Sequence, residues 1–201
     1  MSESIDDVVA VQQLVLRERQ GRDRGWWDQM AATFHPESRV RVTWFEGTGP
    51  EFVAESEKMF APGRRMPVHH MATPVIHVRG DRALAEVAGS IHLRMRLHGV
   101  PADLTSLVRL LYRAERGPSG WRLRSLDCIY ESDSIVPVPP AEPIDFDRDL
   151  LAGFRESYRF LAYHLARSRG RVPPDDLYGD DRPDDLRMLY AEAFEWLGDL
   201  Q

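Results

Sequence analysis

The feature that most constrains this fold is a change of hydrophobic period near residue 67. Before it, apolar residues recur at helical spacing. This predicts helices at about 5–20, 25–34 and 50–60, with one strand through Val40 that ends at Gly47. After it, apolar and polar residues alternate, which predicts strands at about 68–78, 83–97, 105–114 and 121–130. Helices followed by a meander of long strands indicate an α+β fold, with helices covering one face of a curved antiparallel sheet.

The strand at 83–97 shows the alternation most clearly. One face is apolar and comprises Ala85, Val87, Gly89, Ile91, Leu93, Met95 and Leu97. The opposite face carries Glu86, Ser90, His92, Arg94 and Arg96. Because no helix is predicted over the polar face, we expect it to meet solvent or a second subunit, and the sequence predicts a homodimer.

A proline-rich segment divides the chain. It spans 136–143 and separates a body at 1–138 from a C-terminal region at 144–201. Two helices are predicted in that region, at about 147–168 and 183–200, each with an apolar stripe. We expect this two-helix extension to pack on the body or on a partner subunit. A lid that closes over a pocket is the alternative.

Composition narrows the class of protein. The 201 residues are 43% apolar, enough for one sizeable core, yet no apolar run is long enough for a membrane helix. The N-terminal segment is acidic where a secretory signal would be basic, so we expect a cytoplasmic protein that does not bind membranes. The formal charge of −6 argues against nucleic acid as a partner. Cys128 is the only cysteine, which excludes an intrachain disulfide.

Two residues are candidates for acid/base chemistry. Asp23 lies in a turn before the second predicted helix, and His70 lies on the first long predicted strand. An Asp and a His that meet in a pocket can transfer protons without a metal or organic cofactor. The alternatives are structural, because Asp23 could cap the following helix and His70 could be a hydrogen-bonded core residue. No metal site is predicted, since His69 and His70 are adjacent on a strand and point to opposite faces.

Several aromatic residues are candidates for binding a substrate. Trp27, Trp44, Tyr112 and Tyr130 could line a pocket, where a tyrosine hydroxyl can polarise a carbonyl group. Packing in the core is the alternative for each. Asp127 could serve as an acid in epoxide opening. The sequence does not decide which face of the sheet its side chain lies on.

The order of short motifs resembles a known family. The motifs are Arg22-Asp23-Arg24-Gly25-Trp26-Trp27, Phe34-His35-Pro36-Glu37, Trp44-Phe45-Glu46-Gly47, His70, and Gly80-Asp81-Arg82-Ala83. Together they resemble the SnoaL-like families of the nuclear transport factor 2-like superfamily, which form cone-shaped α+β barrels. Scytalone dehydratase is the member whose pattern is most similar. The resemblance covers about 5–138 and includes nothing in 144–201.

The resemblance implies roles for particular residues. It places Asp23 and His70 opposite each other inside the cone, with His70 as the base and Asp23 orienting it, and it matches Ser106 to a pocket hydroxyl. This sequence also departs from the dehydratase pattern. The position of the family's second catalytic histidine falls at or next to Leu93 in this sequence. The family's tyrosine next to the aspartate is replaced by Arg22. Scytalone itself is therefore not the expected substrate.

These observations predict a cofactor-independent acid/base enzyme. We expect a dehydratase or an isomerase or cyclase that acts on a small hydrophobic oxygenated molecule, such as a polyketide, steroid or terpenoid intermediate. A non-catalytic ligand-binding or assembly module of the same fold is an alternative, since one fold hosts many functions. Epoxide hydrolysis is another.

Overall fold

A computed structural model of the chain describes residues 4–60, 66–140 and 142–198. Within them, the α-helices are α1 (Ile5–Arg24), α2 (Trp27–Thr33), α3 (Gly49–Met59), α4 (Arg148–Ala152), α5 (Arg159–Arg169) and α6 (Pro183–Leu197). The strands are β1 (Phe34–Val42), β2 (Phe45–Thr48), β3 (Val68–Met71), β4 (Val75–Arg79), β5 (Arg82–Leu97), β6 (Val100–Gly117), β7 (Gly120–Pro137) and β8 (Tyr178–Gly179). Helices precede a meander of long strands, which confirms the predicted α+β fold.

All eight strands belong to one curved, open sheet. Its order is β2-β1-β7-β6-β5-β3, with β4 also paired to β5 and β8 paired to β7. Long antiparallel hairpins join β5, β6 and β7, while β1 runs parallel to β7. A tight turn at Gly99, where φ is 86°, connects β5 to β6. Positive φ favours glycine there because it has no Cβ.

The two faces of the sheet differ as the alternation predicts. Ala85 and Val87 of β5 are fully buried and belong to the same core as Val11 and Val15 of α1. We call this side of the sheet the inner face. Burial of these apolar side chains is the main source of stability for the fold.

The first long predicted strand is two strands. β3 and β4 both pair with β5, with Met71 opposite Gly89 and Val75 opposite Glu86. Three residues therefore separate β3 from β4, while only two separate their partners on β5. One extra residue is a β-bulge, and it reverses which side chains face inward.

The helix α1 extends further than its sequence pattern predicts. Gly21 stays within the helix, and Gly25 ends it in the left-handed conformation with φ of 70°. Asp23 therefore lies in the last turn of α1. The helix α2 begins after Trp26, so the alternative in which Asp23 caps α2 is wrong.

The C-terminal helices pack on opposite faces of the sheet. The predicted helix at 147–168 is interrupted, and α5 joins the inner-face core through Leu161 and Leu165. The helix α6 covers part of the outer face, where Leu189 and Ala193 pack with Leu84. The predicted end of this helix at 199–200 lies outside the described residues. Across the described ranges, no helix is long and apolar enough to cross a membrane.

Candidate active site

The last turns of α1 bring three charged residues to the inner face. Arg19, Arg22 and Asp23 are three and four positions apart, so they lie on one side of the helix. Arg19 and Arg22 are only 5% and 4% exposed. Charged groups are rarely buried to this degree unless they are paired or functional.

Asp23 makes two hydrogen bonds to His69. One carboxylate oxygen, Oδ1, lies 2.7 Å from His69 Nδ1, and the other, Oδ2, accepts from the backbone N–H of His69 at 2.7 Å. The His69 side chain is 6% exposed and the Asp23 side chain 10%. The contact fixes both the position and the orientation of the imidazole ring.

The predicted pairing of Asp23 with His70 is therefore wrong by one residue. His70 is exposed on the outer face, where its ring lies 4.7 Å from the ring of His92. Adjacent residues on a strand point to opposite faces, so only one of the two histidines can face α1. That residue is His69.

The surroundings keep the imidazole of His69 neutral. Burial and the nearby positive charge of Arg19 lower the pKa of His69 to about 4, despite the opposing effect of Asp23. Burial raises the pKa of Asp23, but hydrogen bonds from His69 and the charge of Arg19 outweigh it, so the pKa is lowered overall. At neutral pH we assign a neutral His69 whose Nδ1–H donates to the Asp23 carboxylate. Its Nε2 then carries the lone pair, 3.3 Å from Arg19 Nη1.

A buried network supports Arg19. Its Nε lies 2.8 Å from Glu18 Oε2, and its Nη2 lies 2.5 Å from Glu18 Oε1, so the ion pair is bidentate. The hydroxyl of Tyr112 also donates to Glu18 Oε2, at 3.1 Å. Both oxygens of Glu18 are thus committed, and Glu18 itself is fully buried. The network links Tyr112 to His69 through Glu18 and Arg19.

A cavity of about 70 Å³ lies beside His69. Its lining comes from α1, α3, α5 and the inner face of the sheet. The apolar lining residues are Val42, Trp44, Phe52, Met59, Met66, Pro67, Ile91, Leu93, Leu110, Leu161 and Leu165. The polar ones are Arg19, Arg22, Thr43, His69, Cys128, Tyr130, His164 and Arg169. A mostly apolar pocket with a few converging polar groups is typical of a small-molecule site.

Only some of the predicted binding residues reach this cavity. Trp44 and Tyr130 line it, and the Tyr130 hydroxyl accepts from the backbone N–H of Thr43 at 2.8 Å. Tyr112 is buried with its hydroxyl on Glu18, and Ser106 is fully buried on the same face of β6. Trp27 packs edge-on against Phe60, 5.5 Å between ring centres. Among the described residues, these last three are not part of the lining.

The candidate acid Asp127 lies away from the cavity, whereas Cys128 lines it. The carboxylate of Asp127 accepts from Arg39 Nη1 at 3.1 Å, on the outer side of β7. Burial raises the pKa of Cys128 to about 12, so its thiol stays protonated at neutral pH. Within the described parts of the chain, no three His, Cys, Asp or Glu side chains are grouped to hold a metal ion.

Sequence reasoning missed Glu18, Arg19 and the functional position of Arg22. A signal was present, because Glu18 and Arg22 continue the stripe of Val11 and Val15 at helical spacing. Charged residues on the buried side of an amphipathic helix indicate a polar site beneath it. The contribution of α5 to the cavity has no sequence signal, because an apolar stripe does not show which surface the helix covers.

Comparison with known proteins identifies the family. Residues 3–127 match the SnoaL-like domain, and the chain belongs to this family. Pea pathogenicity protein 2 of Fusarium vanettenii is 30% identical over 172 residues, which cover 82% of this chain and 73% of that protein. A PEP2-like protein of the same fungus is 28% identical over 206 residues, which cover 95% of this chain and 88% of that protein.

Solved structures show the same fold at low sequence identity. A type 2 hexachlorocyclohexane dehydrochlorinase has a TM-score of 0.57 and 12% identity, covering 71% of this chain and 97% of that one. A candidate scytalone dehydratase from Novosphingobium aromaticivorans has a TM-score of 0.55 and 14% identity. The match covers 71% of this chain and 95% of that one. At such identities the likeness concerns the fold alone.

Proposed function

We propose that the protein is a cofactor-independent acid/base enzyme in which His69, held by Asp23, transfers protons to and from a small, hydrophobic, oxygenated substrate. The observation that carries this proposal is a neutral imidazole at an apolar cavity, hydrogen-bonded to a buried carboxylate. A histidine base needs a lone pair that faces the substrate and a partner that stabilises its charged form. Asp23 supplies the stabilising partner. His69 Nε2 carries the lone pair, and a substrate reaches it by displacing Arg19 Nη1, which lies 3.3 Å away.

The reaction we propose begins at a carbon next to a carbonyl group. His69 Nε2 removes a proton from that carbon, and the electron pair of the C–H bond becomes the enolate. The imidazolium that forms is stabilised by Asp23, which already accepts from Nδ1–H. Return of the proton to another carbon gives an isomerase. Transfer of the proton to a leaving β-hydroxyl, which departs as water, gives a dehydratase.

The apolar lining makes this transfer more effective. Phe52, Leu161 and Leu165 give the site an apolar wall, and charges beside such a wall interact more strongly than in solvent. The names of the two fold neighbours, dehydrochlorinase and dehydratase, both describe eliminations. An elimination begins with the same removal of a proton, which supports the proposal.

Deuterium exchange tests the proton transfer without knowledge of the natural substrate. Small enolisable ketones, such as 2-tetralone and cyclohexenone, are incubated with the protein in D₂O, and uptake at the α-carbon is followed by mass spectrometry. We expect the wild type to accelerate exchange, and His69→Ala and Asp23→Asn to reduce the enzymatic rate by roughly a hundredfold or more.

The neighbouring histidine provides the matched control. His70→Ala alters the next residue on the same strand, but that side chain is exposed on the outer face. We expect His70→Ala to retain the wild-type rate. Loss of exchange in His70→Ala with retention in His69→Ala would overturn the assignment of the base. Equal rates in the wild type and in His69→Ala would contradict the proposed function.

A further inference from the structure

Arg22 is a buried cation that lacks a carboxylate of its own. It is 4% exposed and lines the cavity. Its Nη1 is buried and has no hydrogen-bond partner among the described residues. A buried guanidinium nitrogen without a partner is costly, because the protein gives up its hydration without replacing it.

The two neighbouring carboxylates are already committed. Both oxygens of Glu18 accept from Arg19, and both oxygens of Asp23 accept from His69. The guanidinium of Arg22 instead lies over aromatic rings, 5.4 Å from the centre of Trp44 and 6.0 Å from that of Phe52. These contacts hold the group in place at the cavity wall but give Nη1 no acceptor.

Arg22 retains its charge at neutral pH. Burial and the nearby Arg19 lower the pKa of Arg22 to about 10, which leaves the guanidinium protonated at pH 7. Arg169 lies at the same cavity. An acidic group on a bound molecule would therefore meet positive charge and a buried N–H donor.

We propose that Arg22 binds an anionic oxygen of the substrate, so that this cavity selects small apolar molecules that carry a carboxylate. This inference rests on the proposed function for the nature of the site, and it adds the chemical class of the substrate. A planar guanidinium suits a carboxylate, because it offers parallel N–H donors. Bound there, the carboxylate positions the apolar part of the molecule beside His69.

Binding of matched acids and amides tests the inference. The probes are crotonate with crotonamide and benzoate with benzamide, since each pair differs in charge and hardly in size. Dissociation constants are measured by ligand-observed NMR or calorimetry at pH 7.5. We expect at least one acid to bind about tenfold or more tightly than its amide, as one charge-assisted hydrogen bond provides.

Substitution at Arg22 shows whether the preference arises there. Arg22→Met keeps an unbranched side chain without the charge, and we expect it to bind acid and amide equally. Arg109→Met is the control, because Arg109 pairs with Glu86 and Glu131 on the outer face. It should retain the preference. If Arg22→Met does not fold, the wild-type comparison still decides, because a wild type that binds neither acid better than its amide overturns the inference.

The acid-binding test and the deuterium-exchange test can fail independently of each other. His69→Ala should lose deuterium exchange and still prefer the acid. If the wild type prefers the acid but does not accelerate deuterium exchange, the Arg22 site is supported and the proposed enzymatic function is contradicted. If it accelerates exchange but does not prefer the acid, the proposed function is supported and the Arg22 site is contradicted. A preference that persists in Arg22→Met would also overturn the inference.

Discussion

Glu18 stabilises the buried charge on which the candidate site depends. It is fully buried and pairs with Arg19, which in turn lies 3.3 Å from His69 Nε2. Replacing Glu18 by Gln leaves Arg19 buried without a counter-charge. We expect Glu18→Gln to lower the free energy of unfolding by about 3–5 kcal/mol, measured by urea denaturation.

A surface ion pair provides the comparison for this effect. Glu55 pairs with Lys58 one turn away on α3, where both side chains are exposed. Glu55→Gln should change the free energy of unfolding by less than about 1 kcal/mol, because solvent screens exposed pairs. Similar losses in both variants would mean that the Glu18 pair contributes no more than a surface contact.

At the scale of elements, the bulge between β3 and β4 decides which histidine faces the cavity. The buried residues of β4 are Ile76 and Val78. A continuous strand would place His70 on the same side as these two, because side chains alternate. The extra residue between β3 and β4 reverses the alternation and turns His69 inward.

This detail separates what the sequence could predict from what it could not. Alternation over sixteen residues of β5 was long enough to predict its inner face correctly, from Ala85 to Leu97. The resemblance paired Asp23 with His70, whereas the structure pairs it with the neighbouring His69. A one-residue bulge has no periodic signal, so the choice between His69 and His70 depended on three-dimensional pairing. The buried partners of Arg19 depended on long-range contacts in the same way.

The helix α5 closes one side of the cavity. The carboxylate of Asp133 on β7 accepts from the backbone N–H of Phe160 at 3.1 Å and of Leu161 at 2.6 Å, which holds the first turn of the helix. A cavity of about 150 Å³ holds benzene, so 70 Å³ is too small for a cyclic substrate. Binding such a molecule requires lining side chains or α5 to move.

Removing this anchor should loosen α5. In Asp133→Ala, two N–H groups lose their acceptor, and we expect amide exchange in Arg159–Arg169 to become roughly tenfold faster. Asp147→Ala is the matched control, because Asp147 caps α4 by accepting from Leu150 N–H. It should leave exchange in α5 unchanged. Unaltered exchange in Asp133→Ala would show that apolar packing alone holds the helix.

At the scale of the whole molecule, the homodimer stays a prediction. The helix α6 covers only one part of the outer face and leaves the end around His92 open. Val68 and Leu107, each 44% exposed, lie there on strands that pair with β5. Exposed apolar side chains on an open sheet face are typical of a subunit interface.

Light scattering at micromolar concentration tests this prediction. We expect the mass of a dimer for the wild type and of a monomer for Leu107→Glu, since a buried charge disfavours the interface. Val172→Glu is the control, because Val172 is 66% exposed and lies outside this face, after α5. It should remain a dimer. A monomeric wild type would contradict the prediction.

The central claim is that Asp23 holds His69 as a neutral base with its lone pair on Nε2. Histidine ¹⁵N NMR across a pH titration tests it most directly, with His69→Gln to assign the signals. Because burial and Arg19 lower the pKa of His69 to about 4, its ring should stay neutral from pH 8 to about 5.5, with the proton on Nδ1. An imidazole that becomes protonated near pH 6.5, or that carries its proton on Nε2 when neutral, would contradict the account.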